Sequence, residues 1–241
     1  MRYMDIKNAT ESSADLYFYG DIVGSEWEKL ESEDTCPTEV INFLEQVKDV
    51  QQLNIYINSG GGSVFAGLAI YNMLKRHKAY KTVYIDGLAA SIASVIALAG
   101  DKIIIPSNAF MMIHKPWSWT AGNAHDLRKM ADDLDRIEQG ILNVYSENIR
   151  EGVDMGSIQE MVDAETWLVG ADAAQYFNVE LSEPTQAVAM LGDSAKKYRK
   201  EPPKQLLNAI QQRKESEQEA RRAIEAAEIE NMKLQLELLS A

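Results

Sequence analysis

One stretch limits the fold more than any other. Residues 87–99, Gly87-Leu88-Ala89-Ala90-Ser91-Ile92-Ala93-Ser94-Val95-Ile96-Ala97-Leu98-Ala99, are small and apolar almost throughout. Such a stretch has no polar face to turn toward water, so it must be buried. It is too short to span a bilayer, which needs roughly 20 residues. It therefore marks the centre of a domain core, with a buried helix expected over residues 90–99.

The segments around it alternate in type. Strands are expected over residues 15–20, 53–58, 81–86, 102–105 and 109–113, and helices over 37–48 (capped by Thr38), 64–76, 124–149, 157–162 and 171–176. Alternation of this kind implies an α/β domain with right-handed crossovers. Apolar residues make up 46% of the 241, ample for one sizeable core. Residues 1–14 are polar and expected to be flexible, and 15–193 form the expected domain. From 194 the composition turns basic, passes Pro202-Pro203 and becomes rich in Glu, Gln, Arg, Ala and Leu, so 194–241 is expected to be a separate helical tail.

Charge and cysteine content narrow the function. A net charge of −13 repels phosphate backbones, which argues against nucleic acid as a partner. Cys36 is the single cysteine and cannot form an internal disulfide, which fits a reducing, cytoplasmic setting. The N-terminus has no apolar signal core. No metal-ligand cluster is visible, and no metal or cofactor is expected.

A few residues are suited to nucleophilic chemistry. Gly60-Gly61-Gly62 follows a strand directly and is either a tight turn or a place where backbone amides approach a ligand. Ser91 opens the small apolar helix after a strand, as an exposed nucleophile would, or else is a small packing residue. Ser94 lies inside the helix and is the poorer candidate. Of the three histidines, His77 sits at a solvated helix end and His125 near the start of a polar helix. His114 closes an apolar strand, where an imidazole is costly without a partner. It is either a general base or a satisfied structural histidine. Asp163, Glu165 and Asp172 read as loop charges, any of which could orient that base.

Four ordered motifs together resemble the proteolytic subunit of the Clp protease family. Ile57-Asn58-Ser59-Gly60-Gly61-Gly62-Ser63-Val64 is similar to its glycine loop and Gly87-Leu88-Ala89-Ala90-Ser91-Ile92-Ala93-Ser94 to its nucleophile segment. Met112-Ile113-His114-Lys115-Pro116 resembles its histidine segment. Trp167-Leu168, with Ala171-Asp172-Ala173-Ala174-Gln175-Tyr176, resembles the stretch after its catalytic aspartate. The resemblance spans about residues 15–185. It implies a serine endopeptidase with Ser91 as nucleophile, His114 as base, and the backbone amides of Gly61 and Ile92 as oxyanion donors. It also implies a Clp/crotonase-like fold of repeated β-β-α units, in which residues 124–149 form the long handle helix joining two stacked homo-oligomeric rings around polypeptide substrates.

The sequence departs from that family in three places. Gly60 stands where the family has proline. Glu165 stands at the register of the catalytic aspartate; register favours Glu165, and residue type favours Asp163. The N-terminus lacks a clear match to the axial loops, so docking of a Clp-type ATPase stays open. With the tail, these departures resemble Clp-like proteases of phages and prophages, associated with capsid maturation and scaffold-like partners. Two rival readings are a crotonase-like acyl-CoA enzyme, which needs no Ser91–His114 pair, and a silent ring-forming scaffold. In the tail, Ala220, Ile224, Ala227, Asn231, Leu234 and Leu238 form a short heptad seam.

Overall fold

The protein is described by a computed structural model covering residues 12–185 and 191–240. It forms two compact units, residues 1–201 and 202–241. In the first, a seven-stranded sheet carries β1 (Ser13–Ile22), β2 (Gln52–Gly62), β3 (Tyr80–Ala90), β4 (Lys102–Pro106), β5 (Phe110–Ile113), β6 (Thr166–Val169) and β7 (Glu180–Ser182). Six helices accompany it: α1 (Pro37–Gln46), α2 (Val64–Arg76), α3 (Ile92–Ala97), α4 (Ala124–Ser146), α5 (Met155–Asp163) and α6 (Gly170–Tyr176). The α/β class read from the alternation is the class observed.

The main path of the sheet is β1-β2-β3-β4-β7, all parallel. β3 is long enough to serve two neighbours. Its first half pairs with β4 (Thr82↔Lys102 to Tyr84↔Ile104), and its second half pairs in parallel with β5 (Leu88↔Phe110 to Ala90↔Met112). β6 then adds to β5 antiparallel, from Phe110↔Val169 to Ile113↔Thr166. The expected strands are present, several of them longer than their hydrophobic cores suggest.

The apolar run behaves as its composition requires. All six residues of α3 are buried, and so are the residues of β3 that lead into it, Leu88 to Ala90. Helix α2 packs on α3 through Gly67, where a Cβ would come within 2.1 Å of Ile92 Cγ1. The close approach of the two helices therefore depends on the missing side chain.

Four local expectations are corrected. Gly60 to Gly62 do not form a turn after β2; they continue it, with Asp21↔Gly61 and Ile22↔Gly62 pairing along β1. Positive φ at Gly61 (+91°) and Gly62 (+143°) keeps the bulged strand in the ladder. Residues 166–169, which lack a clear strand pattern, are drawn into β6 by the exposed edge of β5. Cys36, not Thr38, caps α1, with Pro37 in the first turn and the Glu39 carboxylate accepting from the Cys36 amide. His77 is only partly solvated: its Nδ1 accepts from the Ala79 amide, and burial lowers its pKa, with Lys81 adding to the lowering.

The second unit is one helix, α7 (Lys204–Ser240). Ala220, Ile224 and Ala227 of the expected seam are exposed, while the side chains of Asn231, Leu234 and Leu238 lie outside those described. Residues 1–11, expected to be flexible, also lie outside the described residues. Composition shifts at 194, yet the first unit runs on to Glu201. Among the described residues, no helix is long and apolar enough to cross a membrane.

Gly67→Ala should lower unfolding stability by about 1–3 kcal/mol through overpacking against Ile92. Urea denaturation measures this; an unchanged midpoint would show that α2 and α3 can separate at no cost.

Candidate active site

The ladder around β5 determines where the chemistry can lie. Ala90 pairs with Met112, and the next amide, Ser91 N–H, donates to the Met112 carbonyl at 2.8 Å. His114 follows Ile113, whose partner across β6 is Thr166, and Glu165 immediately precedes Thr166. Three residues distant in sequence therefore leave neighbouring strand ends at the same edge.

Their side chains meet. Ser91 Oγ lies 2.7 Å from His114 Nε2, and His114 Nδ1 lies 3.5 Å from Glu165 Oε2. His114 is 7% exposed and Glu165 2%. Asp163, the alternative by residue type, is turned away: it is half exposed, and its carboxylate pairs with Lys115 Nζ at 2.8 Å. Lys115 also reaches the buried Glu138 at 3.4 Å, tying the strand end to α4 and α5. His125 is exposed on the first turn of α4, where its amide serves the Asn123 cap, and Asp172 lies in the first turn of α6.

Two of the three residues carry backbone strain. Ser91 has φ 54° and Glu165 φ 50°, the only positive values among the described non-glycine residues. For non-glycine residues such conformations cost of order 1–3 kcal/mol each and persist only where surrounding contacts enforce them. At Ser91 the bracing is visible. Ser94 Oγ donates to the Ser91 carbonyl at 2.6 Å and lies 2.8 Å from the hydroxyl of fully buried Tyr145. Ser94, the weaker nucleophile candidate, is thus a brace under the turn.

The oxyanion candidates flank the serine. A Cβ on Gly61 would meet Ser91 Cβ and the Ala90 carbonyl at 2.7 Å and the Ile92 amide nitrogen at 3.2 Å. The two backbones can approach this closely only with glycine at 61. The Gly61 amide here donates to Ser59 Oγ at 3.1 Å, while Ser59 donates to the Gly20 carbonyl at 2.5 Å. Ile92 supplies the first amide of α3, where backbone donors lack intrahelical acceptors.

Beside the serine and histidine runs a cleft of about 980 Å³. Its walls include Leu30, Phe65, Trp117, Trp119 and Tyr198, a largely apolar lining around Ser91 and His114. Sequence reasoning missed Tyr198, which falls in a basic, proline-flanked segment with the look of a linker. It also missed the two tryptophans, whose isolated positions carry no periodic signal. Among the described residues no group of three or more His, Cys, Asp or Glu side chains could hold a metal ion.

Burial of His114 pulls its pKa below the ordinary histidine value. Glu165 opposes this, and the Arg199 guanidinium adds to the lowering. A lowered value means the unfolded chain binds the proton more readily. The resulting stability is complete above about pH 6.5, the unfolded value, and is lost as pH falls through the folded one. An imidazole NMR titration should place the His114 midpoint below about 6.5; a midpoint above that value would mean that Glu165 outweighs burial.

Comparison with known proteins bears on the same segments. The family described as Clp protease matches residues 22–179. The chain is 31% identical over 137 residues to the ATP-dependent Clp protease proteolytic subunit 1 of Salinibacter ruber, covering 56% of this chain and 58% of that protein. It is 32% identical over 136 residues to the ATP-dependent Clp protease proteolytic subunit of Borreliella afzelii, covering 56% and 68%. Against the ATP-dependent Clp protease proteolytic subunit of Bacteroides fragilis it is 29% identical over 137 residues, covering 56% and 65%. The chain thus spans about three fifths to two thirds of the length of these relatives.

Proposed function

The chain belongs to the Clp protease family, and on that premise we propose that it is a serine endopeptidase with Ser91, His114 and Glu165 as its triad. The observation that carries this is the 2.7 Å approach of Ser91 Oγ to His114 Nε2, with a buried carboxylate behind the ring. With Nδ1 protonated toward Glu165, Nε2 is free to accept the serine proton. The alkoxide attacks the peptide carbonyl, and the tetrahedral oxyanion is taken up by the amides of Ile92 and Gly61. For Gly61 this requires exchanging the Ser59 hydroxyl for the oxyanion. His114 then protonates the leaving amine, and water releases the acyl-enzyme.

The crotonase-like alternative explains less. An acyl-CoA enzyme needs the paired amides but has no use for a serine and histidine in contact. A silent scaffold has no use for two strained residues at one site.

Assembly into stacked rings is the second part of the proposal. Within one subunit α4 leaves Met130, Leu134 and Ile137 partly covered and Leu127 48% exposed, while Ile141 and Val144 further along are buried. Met130, Leu134 and Ile137 also line the cleft beside Ser91, so this stripe is open to a bound peptide and, at Leu127, to a partner subunit. Polypeptide substrates would enter the apolar cleft beside Ser91. The finer reading, a cytoplasmic phage- or prophage-encoded capsid maturation protease, draws on Gly60, Glu165 and the helix α7 beyond the matched region. Capsid or scaffold proteins would then be its partners rather than a Clp-type ATPase.

Ser91→Ala should abolish labelling by a fluorophosphonate probe and cut peptide turnover by at least about a thousandfold. Wild-type turnover in that variant would remove Ser91 from the mechanism. Glu165→Gln should lower kcat by about a hundredfold or more through loss of tautomer control. Asp163→Asn, which breaks only an exposed ion pair, should stay within about threefold. The reverse ranking would transfer the carboxylate role to Asp163.

A further inference from the structure

We propose that residues 198–200 form a strap that completes the active site, in which the backbone amide of Lys200 is a positioning donor for Glu165. The starting point is local sequence. Tyr198-Arg199-Lys200-Glu201 is followed by Pro202-Pro203, and a residue before proline is driven out of the helical region. That restriction falls on Glu201; upstream, the short helical turn Asp193–Lys197 has already ended at Tyr198 in extended backbone, φ −71° and ψ 140°. The Tyr198 amide still closes that turn on the Ala195 carbonyl, and the backbone then bends through Arg199 and Lys200, whose polar groups need acceptors of their own.

These residues spend their donors on the catalytic edge. Lys200 N–H donates to Glu165 Oε1 at 2.6 Å. Arg199 donates from its guanidinium to the Asp163 carbonyl at 3.1 Å, and its Nε lies 3.8 Å from Glu165 Oε2. The Tyr198 hydroxyl donates to the Gly60 carbonyl. Its ring meets His114 edge-on at 5.7 Å between centroids and Trp167 at 5.5 Å. One short segment thus touches the glycine strand, the base and the carboxylate.

Glu165 needs such a partner. Its carboxylate is nearly fully buried, and a buried charge is costly unless its oxygens are satisfied. The histidine faces only Oε2, and at 3.5 Å, too far for a strong hydrogen bond. The other oxygen has the Lys200 amide. A glutamate also has one more side-chain torsion than an aspartate, so its carboxylate is less restrained by its own backbone. An amide donor at 2.6 Å restrains it from outside. The strap lies beyond residue 179, where the match to the Clp protease family ends, so the matched segments do not supply this contact.

The inference rests on the serine-peptidase reading, and the full-length chain tests the two separately. Lys200→Pro removes the N–H at this position, and also fixes φ there and restricts Arg199, whereas Lys200→Ala keeps the N–H and removes only the side chain. Lys200→Pro is expected to lower kcat for a fluorogenic peptide about tenfold or more with KM within about threefold. Lys200→Ala is expected to retain kcat within about threefold. In a Glu165→Ala background Lys200→Pro should cost almost nothing further, because the two act through one carboxylate. An unchanged or raised kcat for Lys200→Pro overturns the proposal, a rise meaning that the strap covers the site. An equal loss with and without Glu165 overturns it as well. If Lys200→Pro does not fold, the double variant Tyr198→Ala/Arg199→Ala releases the strap without altering a backbone donor. Its kcat should fall about tenfold, and a kcat that holds or rises overturns the proposal. An inactive, unlabelled wild type would instead defeat the peptidase reading, whereas Ser91-dependent wild-type turnover with an indifferent strap defeats only the strap.

Discussion

Strand β5 is shared between two partners, and the site depends on that sharing. It lies parallel to the second half of β3 on one side and antiparallel to β6 on the other. Backbone ladders fix register to a single residue, because a slip by one would turn every side chain to the wrong face. The Ala90↔Met112 pairing places Ser91 beside the end of β5, and Ile113↔Thr166 brings Glu165 next to His114. The relative positions of Ser91, His114 and Glu165 are thus set by main-chain hydrogen bonds within one sheet. Sites built on strands hold side chains more tightly than sites built on loops. The four residues of β5 are all buried, so the ladder that aligns the site is also shielded from competing water.

Stability and geometry are traded at two points. Ser91 and Glu165 sit in backbone conformations that other residue types with side chains rarely adopt, and both are surrounded by contacts that hold them there. The apolar run around α3 provides the rigidity. With every residue of that helix buried and Gly67 of α2 pressed against Ile92, the turn at Ser91 has little room to relax. The Ser94–Tyr145 pair adds a polar brace inside this apolar setting. Burial also acts electrostatically on the site, holding the His114 ring in its neutral form to lower pH than an exposed histidine.

Contacts made by the segment beyond the matched residues 22–179 cluster around the same edge. Gly60 offers its carbonyl to Tyr198, and Glu165 takes its second oxygen's partner from Lys200. The glycine strand, Glu165 and the segment past residue 179 are therefore spatial neighbours, although they are spread over 140 residues of sequence. They form one set of contacts, in which residues 198–200 touch both Gly60 and Glu165.

Much of this was legible in the sequence, for identifiable reasons. The run 87–99 has no polar face, which required a buried centre whatever the rest of the chain did. The helix expected over 64–76 is α2, Val64–Arg76, and in the structure Ser63 caps it. Ser91 and His114 could be singled out by residue type, position at strand ends and resemblance, and Glu165 by register within the resemblance alone. Their meeting could not be read this way, since it depends on which strands pair and in what register. β6 was missed because Thr166-Trp167-Leu168-Val169 is short and becomes a strand only against the edge of β5. Composition also misjudged the stretch after 193: its charge and prolines look like a linker, yet the Lys200 amide donates to Glu165 and the Tyr198 hydroxyl to Gly60. Local pattern determined the elements and the candidates, because propensity and burial act over a few residues. Tertiary structure alone decided which oxygen faces which nitrogen, because those distances arise from contacts between segments far apart in the chain.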